Sequence, residues 1–529
     1  DGPLRRTRRG PSCEDRDVTA PRSFYDVIVV GASLAAVGAG ALLARRGFRV
    51  ALIGHGTRPS VYEYEGLRLR RDLAALTIAE VPAFRRVLAE LALLPALRRR
   101  VHALDPGCQV VLPRHRLDLA SNPERLLAEF DREFPELHRP IEDFYAAVER
   151  GHQALDRVLG PDIVWPPDGF FERRAAARLA AGLPSGKDGM AGDLFAEFAA
   201  DHPFRTVIDA QVRFASALDP DRMTALCRTR LLAQSTRAAF LNDGDADGVR
   251  KLFEEKILQH GGDVRTRDRV DRILSKNGRV SAVVLSGIDE VLGCAFLVTP
   301  LDVGQVVRLT DASPSRAWAQ RLLGVRPRYY RYVLNVALHA DAVPVGAGPR
   351  VFLVADPARP LAEENLLAIE TSPPDANRRV VLTACALLPR SGVEEGESYL
   401  RRVRPRVMKS LAGFIPFLDR HVIAVDSPHD GLPLEDRVKG TTVTLDARRS
   451  GAAEPMEVLE TVDPLGFLGV CGIPCRGDLG GLLHVGRQVI PALGAEGEFL
   501  AALTAAGLIT RTDRSKEKLR RELWSKVEM

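Results

Sequence analysis

Three short stretches of this 529-residue chain combine residue types and spacings that could do chemistry. The first is "VIVVGASLAAVGAG", residues 27–40. Gly31 follows an apolar run, and Ser33, Leu34 and Ala36 open a helical stretch. A glycine turn feeding a helix presents backbone N–H groups and the positive end of the helix dipole to an anion, a pyrophosphate above all. Ser33 adds a small hydroxyl able to donate to phosphate. The second is "HVGRQVIPALGAEGEF", residues 484–499. Gly486 turns the chain after an apolar strand, Arg487 supplies a cation, and Gly494, Glu496 and Gly497 begin another helix. Amides there can stabilise negative charge, or the segment can simply be a capped buried helix. The third, "VCGIPCRGDLGG", places Cys471 and Cys475 four residues apart. That is not the two-residue gap of a redox dithiol, so both are read as ordinary buried thiols.

The elements that must position these residues follow from periodicity. Residues 25–56 read strand, turn, helix, strand, and the second strand, "VALIGHG", ends at Gly54. The charge-free run from Val27 to Ala44 is long enough to span a membrane, but its β-branched start and Gly/Ala middle fit a buried strand turning into a buried helix. Residues 76–104 form an amphipathic helical stretch, and 122–240 are mostly helical. Asn277-Gly278 marks a hairpin between short alternating strands, followed by the apolar strand "CAFLVTP". Runs between 326 and 390 suit an antiparallel sheet, and 397–418 return to helix. The tail from Asp513 is a charged helix with Leu519, Leu523 and Trp524 on one side.

Composition removes several function classes. With 46% apolar and 27% charged residues the chain is globular, and a net charge of +5 on 74 basic and 69 acidic residues makes no claim on nucleic acid. The 11 histidines show no metal-ligand spacing, so no metal is expected. No Gly-x-Ser-x-Gly elbow or Walker loop is present, and no acid, base or nucleophile can be assigned. Seven cysteines in a chain this long are not a disulfide framework, which suggests a cytoplasmic protein. The first 23 residues lack the apolar core of a secretion signal.

The order of these units resembles the FAD-dependent oxidoreductase superfamily of phytoene desaturases, carotenoid isomerases, retinol saturases and amine oxidases. Rab GDP-dissociation inhibitor, which has the fold without the flavin, is a more distant relative. The resemblance covers most of residues 25–510. It implies an α/β fold: a Rossmann-like FAD/NAD(P)-binding domain of three layers (ββα) with a substrate domain of helices plus antiparallel sheet. The implied division is a flexible leader 1–24, FAD-binding parts 25–120, 241–310 and 441–510, substrate-domain parts 121–240 and 311–440, and a C-terminal helix 511–529. It further implies FAD held by Gly31, Ser33, Leu34 and Ala36 at the pyrophosphate, with Gly54 and Arg58 after the second strand. Val270 belongs to a segment whose backbone brackets the adenine. Gly486, Arg487, Gly494, Glu496 and Gly497 lie along the flavin.

Against the family pattern, Ser33 replaces a glycine, Arg487 stands where Asp is common, and Ser60-Val61 stand where a glycine pair is usual. Gly54 replaces the glutamate that takes the ribose hydroxyls, a loss of roughly 1.5–3 kcal/mol for a charge-assisted hydrogen bond. If the strand end is open, Gly54→Glu should restore that contact; if Val61 and Tyr62 fill the pocket, it should not. Two readings follow. One is a desaturase-type flavoenzyme passing hydride from an apolar lipid or isoprenoid substrate to flavin. The other is a non-catalytic binding or scaffold protein that kept the fold, lost FAD and engages a protein partner. The apolar face at 81–104, with the basic run 98–100, allows peripheral contact with an anionic membrane or packing on a core.

Overall fold

The computed structural model describes residues 21, 23–183, 194–241, 247–287, 289–310, 313–445 and 453–525, so Cys13 and nearly all of the expected leader lie outside the described residues. Two sheets organise the chain. The first is built on β1 (Ser23–Val30) and β2 (Val50–Ile53), joined by α1 (Leu34–Arg45). Val27, Ile28, Val29 and Val30 are all fully buried, as expected of a central strand covered on both faces. β1 runs parallel between β2 and Val291–Thr299, and β2 pairs in parallel with Asp263–Arg265. The strands Val270–Lys276 and Arg279–Leu285 turn through Asn277-Gly278, both at positive φ, and lie antiparallel beside the first half of Val291–Thr299. Leu482–His484 pairs with the second half of that strand. The hairpin and Leu482–His484 thus share one flank of Val291–Thr299, opposite β1, in a single seven-stranded sheet.

Small residues let α1 lie close on this sheet. A Cβ on Gly40 would come within 3.2 Å of Val29 and of Ile257, and one on Gly38 within 3.3 Å of Phe499. Ser33 caps the helix by accepting the Ala36 N–H at 3.3 Å. At the far end Arg46, 1% exposed, makes a bidentate pair with Glu90 at 2.7 and 2.9 Å.

The second sheet has ten strands centred on Val325–His339, which pairs along its length with Arg379–Pro389. Cys108–Val111 and Arg116–Leu119 form its far edge, and Glu457–Val462 pairs with Val325–His339. Residues within 25–120 and 441–510 thus belong to this sheet, not only to the nucleotide-type domain. Those strands alternate like any others, and only long-range pairing assigns them. The helix Glu397–Phe414 covers one face, and the other face packs toward the helices between Pro123 and Ser235. Helix Pro82–Glu90 buries Ala83, Phe84, Val87 and Leu88, and packs on Gly494–Thr510. The apolar face in 81–104 is therefore core. Among the described residues only Pro491–Thr510 has the length and apolarity to cross a membrane, and most of it is buried inside the protein.

Candidate functional site

The two glycine turns meet, as the resemblance implies. Gly31, at φ +99°, leaves space for the Pro300 ring, which a Cβ would approach to 2.9 Å. A Cβ on Gly486 would lie 2.2 Å from the Pro300 carbonyl oxygen. Thr299 locks the junction: its hydroxyl donates to the Val30 carbonyl at 2.8 Å, and its carbonyl accepts the Val485 N–H at 2.9 Å. A cleft of about 320 Å3 opens at the start of α1, lined by Ala32, Ser33, Leu34, Val61, Arg70 and Asp72 among others. It sits near the floor of the range for ligand pockets, about 300–1,000 Å3, and a dinucleotide is a large ligand.

Around that cleft the chain makes hydrogen bonds to itself. Thr57 accepts the Ala32 N–H at 3.0 Å and donates to the Gly54 carbonyl at 2.7 Å, so the loop after β2 folds back onto the first turn. The ring of His55 accepts the Val270 N–H at 3.1 Å, at the segment expected to bracket adenine. Burial, aided by Arg269, lowers the pKa of His55 and keeps the ring a neutral acceptor. At Gly54 there is no opening at all. Its N–H donates to the Arg265 carbonyl at 3.0 Å, and a Cβ would stand 2.0 Å from the Thr266 carbonyl oxygen. Of the two outcomes weighed for Gly54→Glu, this geometry favours the one without a ribose contact, with backbone and not Val61 or Tyr62 beside the position. Arg58, half exposed, pairs with Glu454 at 2.9 Å. Val61 lines the cleft, and the Tyr62 hydroxyl donates to Asp426 at 2.5 Å.

The C-terminal half is equally committed. Gly494, at φ +55°, and Gly497 allow the last helix to touch the carbonyls of Ala215 and Ile490, each within 2.2 Å of an added Cβ. Glu496 is fully buried and turned away from the sheet junction. It accepts from Nη2 and Nε of Arg230 at 2.6 and 2.7 Å and from the Gln234 amide at 2.7 Å. The helix start is buried, and no side chain caps it. Arg487 reaches Asp302 at 3.4 Å and Glu457 at 3.3 Å. Val270 is core by its side chain. Cys471 and Cys475 are free and buried, their thiols pushed up to about 12 by burial, as ordinary core cysteines are.

Sequence reasoning missed an ionic group between the antiparallel sheet and the start of the last helix. Asp72, Asp302, Glu457, Glu460 and Glu498 gather around Arg331 and Arg487. The side chains of Asp72 and Glu457 are 45% and 39% open, and Asp72 lines the cleft at the start of α1. Burial pushes Asp72 up to about 7, helped by the Glu457 charge, and brings Glu498 to about 7 in the same way. Glu460 also reaches about 7 through burial and Asp302. Burial opposes ionisation of Glu457, but Arg331 and Arg487 outweigh it and hold its pKa below the ordinary value. The seven residues come from separate segments, and no local spacing announces them.

No protein-family model matches the chain, and no curated protein matches it. Solved structures do. An oxidoreductase from Methanosarcina mazei is similar over 90% of this chain and 99% of its own, with TM-score 0.55 and 14% identity. Cyclohexylamine oxidase from Brevibacterium oxydans aligns over 94% and 99%, with TM-score 0.54 and 15% identity. Putrescine oxidase bound to putrescine aligns over 92% and 99%, with TM-score 0.52 and 14% identity. At such identities the likeness fixes the fold: this chain has the mixed α/β fold shared by these oxidoreductases.

Proposed function

We propose that this protein keeps the flavin-oxidoreductase fold without the flavin and works by binding a partner, not by hydride transfer. The observation that carries the reading is the rebuilt turn after β2. Thr57 and His55 take the amides of Ala32 and Val270, and backbone fills the space beside Gly54. Displacing both internal hydrogen bonds would cost about 1–3 kcal/mol per buried group left unpaired, before any cofactor contact was made. A dinucleotide does not fit residues so arranged.

The lining of the cleft at the start of α1 supports the same reading. Arg70, Asp247 and Arg250 line it, a poor surface for an apolar lipid or isoprenoid, which would strip hydration from charged groups. This favours the binding or scaffold protein over the desaturase-type enzyme. The test is the purified protein itself. It should be colourless and release no flavin on denaturation; a yellow preparation yielding stoichiometric FAD would overturn the proposal.

A further inference from the structure

A groove of about 700 Å3 lies on the face of the antiparallel sheet that carries the helix Glu397–Phe414. Residues alternate along the strand Arg350–Val354. Val351 and Leu353 pack under that helix, while Phe352 and Val354 join the main core toward the nucleotide-type domain. The groove is therefore on the opposite side of the sheet from the sites described above. Its floor is Leu353, one wall is Val111, Leu112 and Pro113 of the edge hairpin, and the other is Gly413 and Phe414 at the end of the helix.

Cations ring this apolar trough. Arg116, Arg359, Arg406 and Lys409 line it, against one carboxylate, Glu364. That carboxylate is already held by Arg359 at 2.8 Å and Arg406 at 3.5 Å. Lys409 is exposed and forms no ion pair among the described residues. A trough of this volume, within the range of about 300–1,000 Å3 for small-molecule sites, suits a ligand with an apolar body and an anionic end. The sheet also argues against a peptide strand. Arg350–Val354 is paired on both sides, with Leu366–Thr371 and with Cys108–Val111, so the floor offers no open edge for strand addition. An acyl chain needs no backbone partners.

We propose that this groove binds a single-chain anionic amphiphile, its acyl chain along Leu353, Leu112 and Phe414 and its carboxylate or phosphate head toward Lys409 and Arg406. The inference stands apart from the flavin-free reading, and either can fail alone. Gly413 supplies a clean block. It lies in the helix, and a Cβ there meets nothing within 4 Å, so Gly413→Phe places a ring in the groove without displacing packed atoms.

The full chain would be titrated calorimetrically with oleate, with oleoyl lysophosphatidate and with methyl oleate, all below their aggregation limits. Saturable one-to-one binding of oleate, of lysophosphatidate or of both is expected, and which head binds tighter identifies the source. The neutral ester should bind at least about tenfold more weakly, the value of one lost charge-assisted contact. Gly413→Phe should abolish binding with an unchanged melting temperature, and Lys409→Glu should weaken both anionic ligands several-fold. Inorganic phosphate binding as tightly as the amphiphiles, equal affinity for ester and acid, undiminished binding by Gly413→Phe, or no saturable binding would each overturn the proposal.

Discussion

The turn after β1 and the turn after β2 lie side by side at one end of the same parallel sheet, yet they have had opposite fates. The first keeps its geometry: Gly31 at positive φ, a capped helix start, and small residues facing the strand. The second has been rebuilt: His55 at φ +49°, Thr57 bridging to the first turn, and Gly54 pressed against Thr266. Residues in the first turn serve packing whether or not a ligand is present. Residues after β2 are held instead by hydrogen bonds to the first turn and to the hairpin strand, so their identity is tied to those partners.

The sharpest break of this comparison is at Gly54. Gly54→Glu should fail to give a stable native fold, because its Cβ would overlap the Thr266 carbonyl. A folded variant, seen by circular dichroism and a cooperative melt, would mean that the second turn is open after all. Next in size is the buried pair at the start of the last helix. Arg230→Met leaves Glu496 buried without its partner and should cost about 3–5 kcal/mol in urea unfolding. A loss near zero would show that the helix start is poised for a ligand and not for packing.

The ionic group gives a pH test. Glu498 is raised to about 7 by burial, so its folded state holds a proton that the unfolded state releases above its ordinary value of 4.5. The stability it contributes is present at low pH and is lost as pH rises from about 4.5 through about 7. Glu498→Gln should therefore melt higher than wild type at pH 8 and alike at pH 4.5; equal melting at both would remove the assigned burial. His484, lowered to about 4 by burial, works in the opposite direction between its ordinary 6.5 and that value. The Gln variant isolates the carboxyl from it. The smallest expected effect is Thr57→Val, which removes the acceptor of the Ala32 N–H and should cost about 1–2 kcal/mol without creating flavin affinity.

Much of the fold was legible in the chain. The strand–glycine–helix order at 27–40, the hairpin at Asn277-Gly278 and the terminal strand–turn–helix all depend on local pattern, and local pattern reports them. Membership of the hairpin at 108–119 and of Glu457–Val462 in the second sheet was not legible, because strand partners lie hundreds of residues away. At the candidate site the missing glutamate at Gly54 was visible, but its consequence was not. Whether the gap left by a deleted side chain stays open depends on the backbone of residues 265–268, which no spacing near Gly54 encodes. The same holds for Glu496, whose partner Arg230 sits on a distant helix.

If the protein's own groups occupy the dinucleotide site, FAD should leave its thermal denaturation untouched. A ligand that binds the native state at a concentration a hundred times its Kd stabilises by about 2.7 kcal/mol, a rise of several degrees in a chain of ordinary melting behaviour. The account predicts no change in Tm up to millimolar FAD, with no quenching of flavin fluorescence at any ratio. A saturable, concentration-dependent rise in Tm accompanied by quenching would contradict it.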